Sequence, residues 1–180
     1  MVRFKFFVAI FSVSFCFCSF GQTQQDYDFI NAIIPQLKTP GLLIVKKETY
    51  PCDLVSDIQF KLYLEELHDK IDSLTFRQMF ENSGEISALE ARWNQVYLTK
   101  KINLVINVQQ VDSLQKANKE NINVRPFCVI SLPAFSDEKN YAAIDLGYGT
   151  ALNKLSGTHC LFKKKKGKWV LIATFGAWAS

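Results

Sequence analysis

The sequence predicts an α+β protein, with N-terminal helices packed on one side of an antiparallel sheet built mainly from a C-terminal β-meander. Three observations predict it. Residues 125–180 are strand-like runs separated by turn signals. Lys166-Gly167 sits between two such runs, a strong hairpin signal. Upstream, apolar residues recur at helical spacing, most clearly Phe60, Leu64, Leu67 and Ile71.

The elements follow in order. In residues 25–38, Phe29, Ile30, Ile33, Ile34 and Leu37 share one helical face, Asp26 is the expected N-cap, and Pro35 ends or kinks the helix. Residues 42–48 read as a strand. Residues 56–70 read as an amphipathic helix, because Lys61, Glu65, Glu66, Asp69 and Lys70 fill the positions between the apolar ones. A shorter helix is expected over 74–82, and another turn or two over 87–97. Residues 102–108 are β-branched and apolar, hence a strand. A short helix is expected within 113–119.

In the C-terminal block, 124–132 is a strand closed by Pro133, which cannot donate to a ladder. Residues 141–146 alternate, with Ala142, Ile144 and Leu146 to one side and Tyr141, Ala143 and Asp145 to the other. The three glycines within 147–157 imply a flexible connection. Residues 158–165 and 168–178 form the final hairpin, and the last strand, apolar on both faces at its centre, is expected inside the sheet.

The first residues bear on location. Arg3 and Lys5 precede an uncharged apolar run over 6–20, and Ser19 and Gly21 stand at −3 and −1 of a cleavage after Gly21. That order is the pattern of a secretory signal peptide, so residues 1–21 are expected to be removed and 22–180 to form one secreted or periplasmic α+β domain. A lipid-modified Cys16 or Cys18 is disfavoured, because Phe15 and Phe17 stand where a small residue belongs. A second apolar stretch of span length does not occur, so a soluble mature chain without a transmembrane span is expected. Losing Arg3 and Lys5 lowers the formal charge from +4 to +2, too little for the concentrated basic field of a nucleic-acid partner. Cys52, Cys128 and Cys160 remain. Cys128 with Cys160 is the most plausible disulfide, and three buried thiols is an equal alternative.

The block containing Ser131, Pro133, Phe135, Ser136, Tyr141 and Ala142, then Gly167-Lys168-Trp169 and finally Trp178 and Ser180, resembles a pattern in small uncharacterised secreted proteins of Bacteroidota-type bacteria. The likeness covers about a third of the chain and consists of turn and core residues. It implies a shared fold and export, and it implies no activity. In that family the middle loop often holds a cysteine pair, which residues 147–157 lack.

Chemistry-bearing patterns are sparse. His68 and His159 are the only histidines. His159 and Cys160 adjoin in a strand and so point to opposite faces, which excludes them as a nucleophilic pair. His68 with Cys52 or Cys128 is geometrically open but has nothing in its favour. His68 and Asp72 share a helical face, yet two ligands do not make a zinc site. Lys163–Lys166 with Lys168 is a charge run whose members alternate in direction along a strand, hence a solvated hairpin rather than one basic patch.

Among the acids, Asp145 stands out, mid-strand among apolar neighbours and beside the glycines. Tyr141, Tyr148, Phe175 and Trp178 are aromatics able to line a concave sheet face. The expectation is therefore a non-catalytic exported module that binds a ligand or an envelope protein. Its binding residues are Tyr141, Asp145, Tyr148 and Trp178, with no catalytic set, no metal site and no cofactor. The alternative is a secreted hydrolase using an acidic residue near residues 147–157.

Overall fold

A sheet of seven strands, ordered β4-β1-β5-β7-β8-β9 with β6 also pairing β7, forms the middle layer of the computed structural model. The structure describes residues 22–37, 43–46, 48–49, 52, 57–85, 91–100, 102–105, 109–110, 127–151 and 154–179. The leader expected over 1–21 and the helix expected within 113–119 lie outside them. The elements are α1 (Gln24–Ile33), β1 (Leu43–Lys46), β2 (Glu48–Thr49), α2 (Asp57–Glu66), α3 (Ser73–Glu85), β3 (Ala91–Arg92) and β4 (Ile102–Val105). Then come β5 (Phe127–Ile130), β6 (Ala134–Phe135), β7 (Tyr141–Ala151), β8 (Lys154–Lys165) and β9 (Lys168–Ala179). The architecture is α+β, as expected.

Local chemistry explains the element ends. Thr23, not Asp26, caps α1. Asp26 is the third helical residue of a capping box: its carboxylate accepts from the Thr23 amide at 2.6 Å, and its amide donates to the Thr23 hydroxyl at 3.3 Å. Pro35 ends α1 by converting it to a 3₁₀ turn over Ile34–Gln36. Residues 91–97, expected to be helical, form strand β3 and a 3₁₀ turn at Gln95–Tyr97. Trp93 overrides the helical spacing there, since it is fully buried with its indole N–H donated to the Ile130 carbonyl. The β8–β9 hairpin turns through Lys166 (φ 50°) and Gly167 (φ 77°), the paired positive angles of a type I′ turn.

Three expectations change. The glycines of 147–157 are not a flexible loop: β7 and β8 run through them, with Gly147 opposite Gly157. The Trp178 ring lies over both, so that a Cβ at either would come within 2.7 Å of it. Among the described residues β9 is not interior: it pairs with β8 alone, and its apolar centre packs instead against α1 on one face and α2 on the other. The helices also do not share one side. Ala142, Ile144, Cys160 and Phe162 pack with α1 residues Phe29, Ile30 and Ile33. Ala143, Leu161 and Phe175 pack with Leu67, Phe76 and Met79 on the α2–α3 side. The sheet is mixed, because β1 runs parallel to β4 and β5. No helix among the described residues is long and apolar enough to cross a membrane.

Candidate functional site

Strand alternation sends Asp145 to the α2–α3 face, and the β7–β8 ladder sets His159 directly opposite it. The two side chains meet: His159 Nδ1 hydrogen-bonds Asp145 Oδ1. Cys52, which lies between β2 and α2 in sequence, reaches the same oxygen, its thiol donating at 3.3 Å. All three are buried, at 2%, 3% and 4% exposure for Cys52, Asp145 and His159.

The backbone beneath them is fixed. The Asp145 amide donates to Ser131 Oγ at 2.8 Å, and the Ser131 amide returns a bond to the Asp145 carbonyl at 3.1 Å. Ser131, itself fully buried, thus clamps β7 at the position that presents the carboxylate. The His159 ring is held between Tyr63 of α2 and Phe175 of β9, at centroid distances of 5.3 and 5.0 Å. That approach depends on a β-bulge. Thr158 pairs with Ala177 and His159 with Phe175, leaving Gly176 as the extra residue, at φ 56°. A Cβ on Gly176 would lie 2.4 Å from the Tyr63 hydroxyl and 2.7 Å from His159 Cδ2. Only glycine combines that angle with that proximity.

The arrangement argues against a thiol nucleophile. Cys52 donates its thiol to the carboxylate, and a thiolate beside a carboxylate is opposed by like charge. Cys128 and Cys160 are equally unsuited. Burial pushes the Cys128 thiol far up, and burial followed by the Asp145 charge pushes Cys160 up to about 12. Neither is disulfide-bonded, so the expected Cys128–Cys160 bridge is absent. Cys128 faces Tyr148 and Cys160 faces Ile144 in the ladder. His68 is exposed in the turn that follows α2, which ends at Glu66 rather than at residue 70, with Nδ1 on the Glu65 carbonyl at 2.8 Å. Asp72 instead caps α3 through Thr75.

The four expected binding residues divide. Asp145 and Trp178 share the α2–α3 face, and Tyr141 packs there too, further along β7. Tyr148 is on the opposite face, packed on the α1 side, and burial with the nearby thiols pushes its phenol up to about 12. Phe175 is core, at 2% exposure. His159 and Cys52 were not anticipated as partners of Asp145. The register of the glycines would have revealed His159, whereas Cys52 lies 93 residues from Asp145 in sequence, with no local signal.

Two surface clefts also lie within the described residues. One, of about 590 Å³, lies between the first turn of α3 and the outer ends of β7 and β8, where Asp72, Gln78, Glu138, Tyr141, Lys163 and Lys164 line it. The Lys163 ammonium sits over the Tyr141 ring at 4.8 Å, while Lys164 sits over Trp169 at 5.6 Å. The second, about 500 Å³, is bordered by Thr23, Asn82, Pro133 and Lys139. Neither includes Asp145. No protein-family model, curated protein or solved structure matches this chain.

Proposed function

We propose that this chain is an exported protein, secreted or periplasmic, that acts by binding a small polar ligand in the cleft beside Tyr141. The order of charge, apolar run and small residues over 1–21 supports export, as does the resemblance to small secreted Bacteroidota-type proteins. The observation that carries the binding reading is the cleft itself. Its volume of about 590 Å³ falls in the range of small-molecule sites.

Its chemistry favours acceptor-rich ligands. Asp72 is engaged by the Thr75 amide and hydroxyl, and Glu138 by the Asn140 amide group. The Lys163 ammonium and the Gln78 amide remain as donors, next to the Tyr141 ring. A carboxylated sugar matches that set: hydroxyls and a carboxylate for the donors, an apolar ring face for tyrosine.

The competing reading, a hydrolase working through Asp145, gains from the polar groups gathered there. It loses because a substrate must reach a carboxylate of 3% exposure. The test is an NMR titration of the purified protein with galacturonate, using glucose as the uncharged control. Shifts at Tyr141, Gln78 and Lys163 that vanish in Lys163→Ala support the proposal. Shifts that map elsewhere, or a hydrolytic activity lost in Asp145→Asn, overturn it.

A further inference from the structure

The buried centre, separate from the surface cleft, has the composition of a metal site. Cys52 Sγ, an Asp145 carboxylate oxygen and a His159 ring nitrogen all lie within 4.8 Å of one another. Among the described residues this is the one group of three such side chains with that closeness. We propose that Cys52, Asp145 and His159 bind a single divalent transition-metal ion of the zinc class.

Donor chemistry selects the ion. A thiolate and an imidazole disfavour magnesium and calcium, which take oxygen ligands, and favour zinc and its neighbours in the first transition row. Charge agrees. Thiolate and carboxylate carry two negative charges, the imidazole is neutral, and a divalent cation cancels them where an unpaired buried charge is costly. Thiolate and carboxylate repel one another without the ion and are joined by it. The same contact that disfavours Cys52 as a nucleophile therefore suits it as a ligand.

Geometry agrees as well. Bonds of about 2.0 Å to nitrogen or oxygen and about 2.3 Å to sulfur place tetrahedral ligand atoms roughly 3.3–3.6 Å apart. Cys52 Sγ and Asp145 Oδ1 are already 3.3 Å apart. The widest pair, within 4.8 Å, closes by about 1.5 Å at most, and the hydrogen-bonded His159–Asp145 pair opens to admit the ion. Asp145 and His159 sit on paired strands, whereas Cys52 belongs to no helix or strand.

Supporting residues are also in place. Ser131 fixes the Asp145 backbone, and Tyr63 and Phe175 hold the imidazole plane. Binding exchanges protons for the ion: the Cys52 thiol proton goes to solvent, and the proton held between His159 Nδ1 and Asp145 moves to the other ring nitrogen, Nε2, so that the coordinating imidazole stays neutral and the metal takes the place of that hydrogen bond. Three protein ligands leave one tetrahedral position for water.

The probe is cobalt(II), which reports thiolate coordination optically, followed by zinc(II). The purified protein is expected to take up one equivalent of cobalt, with a near-ultraviolet sulfur-to-cobalt charge-transfer band that one equivalent of zinc abolishes. Cys52→Ser removes the band, and Asp145→Asn and His159→Gln each weaken zinc at least about tenfold. Stoichiometric cobalt binding without the band overturns the proposal, and so does a band that survives in folded Cys52→Ser. Should the variants not fold, X-ray absorption of the zinc-loaded wild-type protein decides. One sulfur with nitrogen and oxygen neighbours is expected, and a shell without sulfur, or no zinc retained on dialysis, overturns it.

Discussion

The two faces of the β7–β8–β9 meander are built from alternate residues of the same strands, yet they are chemically unlike. The α1 face is a packing face. Phe29 meets Phe135, Phe162 and Trp169 edge-on, at centroid distances of 5.5, 5.4 and 5.0 Å, and Ile30, Ile33, Ile144 and Cys160 fill the rest. The α2–α3 face is apolar around Phe76, Met79 and Leu161, and then admits Cys52, Asp145 and His159. Buried polar groups must satisfy one another, and they lower stability relative to apolar packing of similar volume. A protein that needed only to fold would repeat the α1 face on both sides. The difference locates the specialised chemistry on one face and assigns the other to holding the sheet.

The comparison breaks most readily at Phe29, which is 1% exposed. Phe29→Ala is expected to cost about 3–5 kcal/mol in denaturant unfolding, by lost burial and a cavity. A cost under about 1 kcal/mol would mean that α1 does not anchor the sheet.

Gly176→Ala strikes the other face. Its Cβ would lie 2.4 Å from the Tyr63 hydroxyl and 2.7 Å from His159 Cδ2, at a backbone angle that disfavours a side chain. A loss of about 1–3 kcal/mol is expected, together with a shifted His159 ring resonance. An unmoved resonance would detach the bulge from the site.

The same division shows what the residues alone disclosed. Alternation along β7 was readable from 141–146, and it correctly put Asp145 opposite in direction to Ile144. Extending it two residues would have assigned Tyr148 to the α1 face. Gly147 and Gly157 concealed the rest, because glycine is depleted in strands and reads as a loop. Here a strand tolerates them because the Trp178 ring covers both. Once Gly147 lies opposite Gly157, Asp145 falls opposite His159. Cys52 had no such route to discovery, since it lies 93 residues from Asp145 in sequence and no periodicity links the two. Coverage of β9 on both faces likewise imitated an interior strand, as apolar runs report burial and not hydrogen-bond neighbours.

Alkaline pH should weaken the α1 face selectively. Cys160, raised from 9.0 to about 12, and Tyr148, raised from 10.0 to about 12, stay protonated in the folded chain where the unfolded chain has ionised. Cys128 shifts the same way. Their contribution is intact below pH 9 and is lost as pH rises from 9.0 toward about 12. The slope from one thiol approaches 1.4 kcal/mol per pH unit, roughly, once its unfolded form is ionised. Urea midpoints followed upward from pH 9 should fall in the wild type and fall less steeply in Cys160→Ala. Equal slopes would show that the thiol ionises without unfolding.

The smallest effect separates the faces most cleanly. Thr23 caps α1 by exchanging hydrogen bonds with Asp26, and α1 contacts only one side of the meander. Thr23→Ala should cost about 1 kcal/mol, the usual loss for a capping residue. The more informative readout is where that loss appears. Amide exchange should accelerate in α1 and leave α3 and the Asp145 amide, held by Ser131 just past the end of β5, unchanged under conditions of local opening. Acceleration of the Asp145 amide as well would mean that the faces open together and that the polar centre borrows its rigidity from α1. An unchanged Asp145 would mean that Ser131, Tyr63 and Phe175 hold that centre independently, as a preorganised site requires.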